Sequence, residues 1–279
     1  MQVSSVCLND RHNIPQPGFG TWQIDDKEAA EKVQFALKAG YRHIDTARIY
    51  GNEAGVGAGL AQSGLAREQI YLTTKLWNDD QAYDKALAAL PASLQRLQTD
   101  YVDLYLIHWP CPAQDLYLEA WQALIELQKR GLARSIGVSN FRVEDLQHII
   151  DKTGIVPAVN QVELHPYFQQ AGLRAFHRQY NITTVAYSPL GRGALLNDPV
   201  VQKIAEEHGK SAGQIILRWH MEIGTIAIPK SANAGRISDN IHIFDFQLTQ
   251  ENRTAIAALD KKEGKIFPQP DERNTPHAL

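Results

Sequence analysis

The chain has 279 residues, a formal net charge of −3, 44 % hydrophobic residues and 21 % charged residues. This balance excludes a disordered or fibrous chain and leaves no overall basic footprint for nucleic acid or an anionic membrane surface. A chain of this length buries a large core without disulfide or metal staples.

The first seventeen residues read as a small hairpin that could cap one end of a larger body. Their opening, MQVSSVCLND, lacks the basic start and long apolar run of a signal peptide. No stretch reaches the roughly 18 apolar residues of a membrane span, so a cytoplasmic protein is expected. Cys7 and Cys111 are isolated and make neither a disulfide framework nor a zinc ribbon.

GFGTW is the first strand-like run. Ala29, Val33, Ala36 and Leu37 follow at helical spacing, and Gly40 closes that helix. YRHIDTA reads as a short buried strand, and QIYLTTKLW as a second, rich in β-branched and aromatic residues. Leu87, Leu90, Leu94 and Leu97 form the next helical stripe. Pro91 lies inside it; an interior proline costs on the order of 3 kcal/mol, which predicts a kink or a break. YVDLYLIHW is the clearest strand. A helix over LEAWQALIELQKRG follows and ends at Gly131. ARSIGVSN, PAVNQVEL, ITTVAYSPL and TIAIPKS are four more short apolar runs, separated by helical segments near residues 142–152, 170–180, 199–220 and 233–241. The last twenty residues, with three prolines, read as an irregular tail.

Eight strand-like runs alternating with helices imply a parallel sheet, because parallel strands need crossover connections. Their short, continuously apolar character fits strands buried on both faces. A single (β/α)8 barrel domain over residues 1–279, with an N-terminal hairpin cap, is the reading. An open doubly wound sheet is the alternative, but GFGTWQIDD at the first strand–helix turn has no G-x-G-x-x-G fingerprint.

In such a barrel the active site lies at the C-terminal ends of the strands. Polar residues stand where apolar strands end: Asp45 in HIDTA, Lys75 in TTKLW, His108 in LIHWP, with Tyr50 just past Asp45. A carboxylate beside an ammonium stabilises both charges, and the ammonium favours phenolate, which predicts a tyrosine pKa below about 10. Such a tyrosine can protonate a developing alkoxide, with the histidine orienting the carbonyl. Singly, each residue has a structural explanation, such as a buried ion pair or a satisfied histidine. The case rests on the four together.

GYRHIDTARIYGNEAGVG resembles the first signature of the aldo-keto reductase family. IGVSNF, with YVDLYLIHWP upstream, resembles the central signature, and IPKSANAGRISDN the C-terminal one. The pattern is most similar to bacterial 2,5-diketo-D-gluconate reductases, with TTKLWND, NQVELHPY and LRWH adding to the match. The resemblance implies the (β/α)8 barrel, a metal-free reaction, and a catalytic tetrad of Asp45, Tyr50, Lys75 and His108 with Tyr50 as general acid. It further implies that Ser139, Asn140 and Gln161 hold a nicotinamide carboxamide and that the Tyr187 ring stacks on the nicotinamide. Ser188, Leu190 and Gly191 belong to the implied cofactor loop. Lys230, Ser231 and Arg236 suit a 2′-phosphate, which favours NADPH, and Asp239 and Asn240 would face the adenine. Trp22, Ile49, Trp77, His108 and Trp109 are the expected substrate pocket. Arg48 is expected to point away from the site, since strand neighbours alternate faces. The implied activity is reduction of a ketone or aldehyde, for instance a keto-sugar acid or methylglyoxal, by a monomer. The alternative is a non-catalytic NADPH-binding protein on the same barrel.

Overall fold

The computed structural model describes residues 4–270. Strands β1 (Ser4–Cys7) and β2 (Asn13–Gln16) form the expected antiparallel hairpin, with Val6 opposite Ile14. Eight parallel strands follow in chain order: β3 (Phe19–Gly20), β4 (His43–Asp45), β5 (Tyr71–Leu76), β6 (Val102–Ile107), β7 (Ala133–Ser139), β8 (Val159–Glu163), β9 (Thr183–Tyr187) and β10 (Ile226–Ala227). Each pairs with the next. The ring is closed by backbone bonds from Gly18 N–H to Ala227 O (2.9 Å) and from Gly20 N–H to Pro229 O (3.1 Å). Around it stand α1 (Asp26–Ala39), α2 (Glu53–Ala61), α3 (Tyr83–Leu97), α4 (Tyr117–Lys129), α5 (Val143–Thr153), α6 (Ala171–Tyr180), α7 (Pro199–His208), α8 (Ala212–Glu222), α9 (Ala234–Ile241) and α10 (Gln250–Ala257). The architecture is the (β/α)8 barrel.

The strands carry the two-residue period of a sheet buried on both faces. Leu104 and Leu106 on β6 pack inward with Val159, Val185 and Ile226, while Tyr105 and Ile107 pack outward with Leu90, Leu94, Trp121 and Leu124 of the helices. The hairpin contributes Leu8 and Ile14 to the inner cluster beside Tyr71 and Ala158, at the start of their strands. It therefore plugs the N-terminal end of the barrel and leaves the C-terminal end open for chemistry.

Four sequence expectations change. Helix α3 runs unbroken through Pro91. Pro91 is exposed and Leu87, four residues before it, is half-buried, so the carbonyl left without a donor lies towards water. The helical segment at 199–220 is two helices. Gly209 ends α7 at φ 61°, and Ser211 starts α8 with a capping box to Gln214. Helix α2 carries Gly55, Gly57 and Gly59, each a poor helix former, and no helix was expected there. These glycines allow close backbone approach: a Cβ at Gly55 would lie 2.1 Å from Asp26 O, and one at Gly57 2.5 Å from Leu97 O. Helix α10 was likewise read as no element. The tail expected to be irregular is so through residue 270; its NTPHAL end lies outside the described residues.

Candidate active site

Asp45 is the last residue of β4, Lys75 lies near the end of β5, and His108 is the first residue after β6. Tyr50 ends a single 3-10 turn, Arg48–Tyr50, after which Gly51 turns the chain at φ 68°. Buried Asn52 locks this loop: it accepts from Thr46 Oγ1 (2.8 Å) and donates to Thr21 O and Ile24 O (2.9 Å each). The four expected residues are thereby brought together. Lys75 Nζ donates to Asp45 Oδ1 at 2.5 Å, to Thr46 O at 2.8 Å and to Tyr50 Oη at 3.5 Å. An ammonium has three N–H bonds, so all three are used. The other Asp45 oxygen accepts from Gln161 Nε2 at 2.8 Å. The His108 ring stands edge-on to Tyr50 (5.8 Å between centroids) and to Trp77 (5.2 Å).

The electrostatics correct one expectation. Burial of the phenol, with the charge of Asp45 and the hydroxyl of Tyr187 nearby, pushes the Tyr50 pKa well above its ordinary value rather than below it. Burial is the largest cause of that shift. Burial also lowers the Lys75 pKa, and the adjoining Asp45 carboxylate opposes the shift. Tyr50 is thus a neutral phenol. Its oxygen already accepts from Lys75, which leaves its own O–H to donate.

A cavity of about 810 Å³ opens over these residues. Its wall includes Asp45, Tyr50 and His108, the aromatic set Trp22, Trp77 and Trp109, and Ile49. Asn140, Gln161, Tyr187, Ser188, Leu190, Lys230, Ser231, Arg236, Asp239 and Asn240 line it too. Three expected residues do not. Lys75 is wholly buried behind Tyr50. Ser139 is buried behind Asn140, donates to Gln161 O at 2.8 Å and accepts from Asn140 Nδ2 at 3.1 Å. Gly191 is buried against Leu195, and Arg192 and Gly193 take its place on the wall. Arg48 turns away, pairing with Asp80 at 3.3 Å.

Phe267 and Arg192 are among the wall residues that escaped the sequence reading. The Phe267 ring lies edge-on to Trp22 (5.7 Å) and to Tyr187 (5.3 Å). The Arg192 guanidinium sits 5.4 Å from the Trp22 centroid and 5.8 Å from that of Phe267, within cation–π reach. Phe267 lies in a proline-rich tail without periodicity, so its only sequence signal was an aromatic among loop residues.

The donors on the wall suit two kinds of ligand group. Asn140 has its side chain fixed by Tyr187 Oη (2.8 Å) and His108 O (2.9 Å), at a left-handed φ of 64°. Gln161 uses its N–H on Asp45, and among the described residues no donor reaches its Oε1; together the pair suits a carboxamide. Lys230 and Arg236 have no carboxylate partner among the described residues. With the Ser231 hydroxyl, 3.4 Å from Arg236 Nε, they make a cationic corner at the start of α9 that suits a phosphate. Among the described residues no cluster of His, Cys, Asp and Glu suits a metal ion, and no helix is long and apolar enough to cross a membrane.

Residues 16–261 match the model of the aldo/keto reductase family. An aldo-keto reductase of Mycobacterium sp. (strain JLS) is 51 % identical over 274 residues, covering 98 % of this chain and 99 % of that protein. Methylglyoxal reductase DkgA of Escherichia coli (strain K12) is 45 % identical over 269 residues, covering 96 % of this chain and 97 % of that one. Among solved structures, an aldo/keto reductase from Brucella melitensis superposes with a TM-score of 0.90 at 56 % identity, over 93 % of this chain and 100 % of its own. A Bombyx mori aldo-keto reductase solved in complex with NADP gives a TM-score of 0.88 at 40 % identity, over 93 % and 94 % of the two chains. The barrel and these matches agree: the chain belongs to the aldo/keto reductase family.

Proposed function

We propose that this oxidoreductase uses NADPH to reduce the carbonyl of a small ketone or aldehyde, with Tyr50 as proton donor. The observation that carries the reading is the hydrogen-bond chain Asp45–Lys75–Tyr50 at the cavity wall. When bound, NADPH supplies the hydride. Asn140 and Gln161 hold the carboxamide, the Tyr187 ring supports the nicotinamide, and Lys230, Ser231 and Arg236 take the 2′-phosphate.

The substrate carbonyl oxygen lies between Tyr50 and His108. Tyr50 gives its O–H proton to that oxygen as negative charge develops on it. The Lys75 ammonium, already bonded to the phenol oxygen, stabilises the phenolate left behind, and Asp45 keeps Lys75 charged. Trp22, Ile49, Trp77 and Trp109 exclude water and hold the substituents of the carbonyl. The relative named methylglyoxal reductase supports a small carbonyl such as methylglyoxal; a keto-sugar acid such as 2,5-diketo-D-gluconate is the other member of the class to test.

The test is NADPH consumption against a panel of methylglyoxal, 2,5-diketo-D-gluconate and neutral aldehydes, repeated with NADH. Turnover with at least one member, faster with NADPH, is the expected result. Tight NADPH binding without turnover of any member overturns the reading in favour of a binding protein.

A further inference from the structure

The segment that follows α10 is tied down onto the β8–α6 connection at three successive places. Asp260 Oδ1 accepts from Gln169 N–H at 2.9 Å, and Gln169 Nε2 donates to Ile256 O at 3.0 Å. Lys261 N–H donates to Tyr167 O at 3.0 Å. Gly264 comes so close to the same peptide that a Cβ there would lie 1.7 Å from Tyr167 O, so only glycine fits. The last tie is Glu163, at the end of β8. Its Oε1 accepts from Ile266 N–H at 2.6 Å and its Oε2 from Phe267 N–H at 3.0 Å.

Glu163 is 1 % exposed. A buried carboxylate needs donors, and none of those that the described residues give it is lysine or arginine. They are the two backbone N–H groups and His165, whose Nε2 lies 3.0 Å from Oε1. A carboxylate only accepts, so the His165 ring donates from Nε2. The dependence runs both ways: the segment needs two acceptors in a row, and the carboxylate needs the segment. Fixing the Phe267 backbone fixes its ring against Trp22 and Tyr187. Tyr187 is also the register partner of Glu163 across β8 and β9.

We propose that Glu163 is a positioning residue that holds Phe267 as one wall of the carbonyl pocket and so sets the size of carbonyl compound the enzyme prefers. This rests on the reading of the cavity as a carbonyl-reduction site. Glutamine at 163 keeps the size but has one acceptor oxygen, and its NH₂ would face an N–H donor. The segment then loses a tie, Phe267 moves, and the pocket widens. Small carbonyls lose an apolar contact while bulky ones gain room.

The experiment compares kcat/KM for methylglyoxal and for naphthaldehyde in the wild type and four variants: Glu163→Gln, Phe267→Ala, their combination, and Gly264→Ala. The ratio should shift about tenfold towards naphthaldehyde in Glu163→Gln, the lower end of what a hydrophobic pocket contact gives. KM should carry most of it and NADPH affinity should change less than twofold. The combined variant should shift no further than Phe267→Ala, because both act on one ring. Gly264→Ala, which lifts the segment without touching Glu163, should move the ratio the same way and keeps the test decisive if Glu163→Gln does not fold.

A readout independent of turnover is tryptic cleavage after Lys265, followed by mass spectrometry. It should be about tenfold faster in Glu163→Gln and in Gly264→Ala, one lost tie of roughly 1.4 kcal/mol. A wild-type ratio in Glu163→Gln, or an effect fully additive with Phe267→Ala, overturns the proposal. If the wild type reduces no carbonyl, the functional reading fails by itself; unchanged cleavage after Lys265 then overturns the anchoring role separately.

Discussion

Replacing Asp45 with Asn takes the counter-charge from a fully buried lysine. The two side chains are 0 % and 2 % exposed and lie 2.5 Å apart. At an effective dielectric of about 20, that separation corresponds to roughly 7 kcal/mol of attraction. Part of it is recovered. Asn can still accept one hydrogen bond, Thr46 O keeps another, and Lys75 can release its proton because burial already holds its pKa low. A net loss of about 3–5 kcal/mol is expected near pH 6, the range for breaking a buried pair. For a chain of this size that lowers Tm by roughly 10 °C. The sign of the pH dependence follows from the lowered lysine pKa. The unfolded chain binds that proton more tightly than the folded one, so the penalty is full below the folded pKa and is relieved as pH rises towards the unfolded value of about 10.4. Thermal melts at pH 6 and pH 9 read both features. A third protein, Asp45→Asn/Lys75→Met, removes both charges and should regain most of the stability while staying inactive. A loss below about 1 kcal/mol, equal at both pH values, or a double variant no more stable than the single one, would refute this reasoning.

Three further outcomes follow. Arg236→Ala removes a cation without a carboxylate partner among the described residues, and should raise KM for NADPH by roughly 10–100-fold, the worth of a charge-assisted hydrogen bond; an equal rise with NADH would place Arg236 elsewhere on the cofactor. Arg48→Ala breaks a half-exposed pair with Asp80, so stability should change by less than about 1 kcal/mol; kcat/KM should keep the same ratio for keto acids and neutral aldehydes. Burial lowers His43 to about 4 and His177 and His220 to about 3. These groups are neutral in the folded chain and protonate near pH 6.5 when unfolded, so their contribution is complete above pH 6.5 and is lost as pH falls towards 4. Three protons give a slope of about 4 kcal/mol per pH unit near pH 5; urea melts from pH 7 to pH 5 that show no slope contradict it.

All eight barrel strands were legible because each is a short apolar run bounded by turn residues, and the alternation with helices fixed their parallel sense. That Asp45, Lys75, His108 and Tyr50 come together was legible for a related reason: in this architecture a polar residue at the end of an apolar strand faces the open end. Helix α2 was not, because Gly55, Gly57 and Gly59 oppose a helix locally and act only through the close approach of α1 and α3. Pro91 misled because its cost depends on whether the freed carbonyl meets water, which is a matter of orientation. The Tyr50 shift was read with the wrong sign, since pairwise chemistry names the ammonium and leaves out burial. Phe267 and its anchor Glu163 are 104 residues apart in sequence and are joined by backbone N–H groups, which leave no residue pattern to read.

The central claim is that the Tyr50 hydroxyl delivers the proton. Tyr50→Phe keeps the ring beside His108 and removes only that oxygen. Single-turnover reduction of the best carbonyl substrate, followed as NADPH consumption alongside NADPH binding, tests it most directly. The account predicts unchanged NADPH affinity and a rate reduced by about 100-fold or more, as for the loss of a general acid. Reduction at the wild-type rate would contradict it.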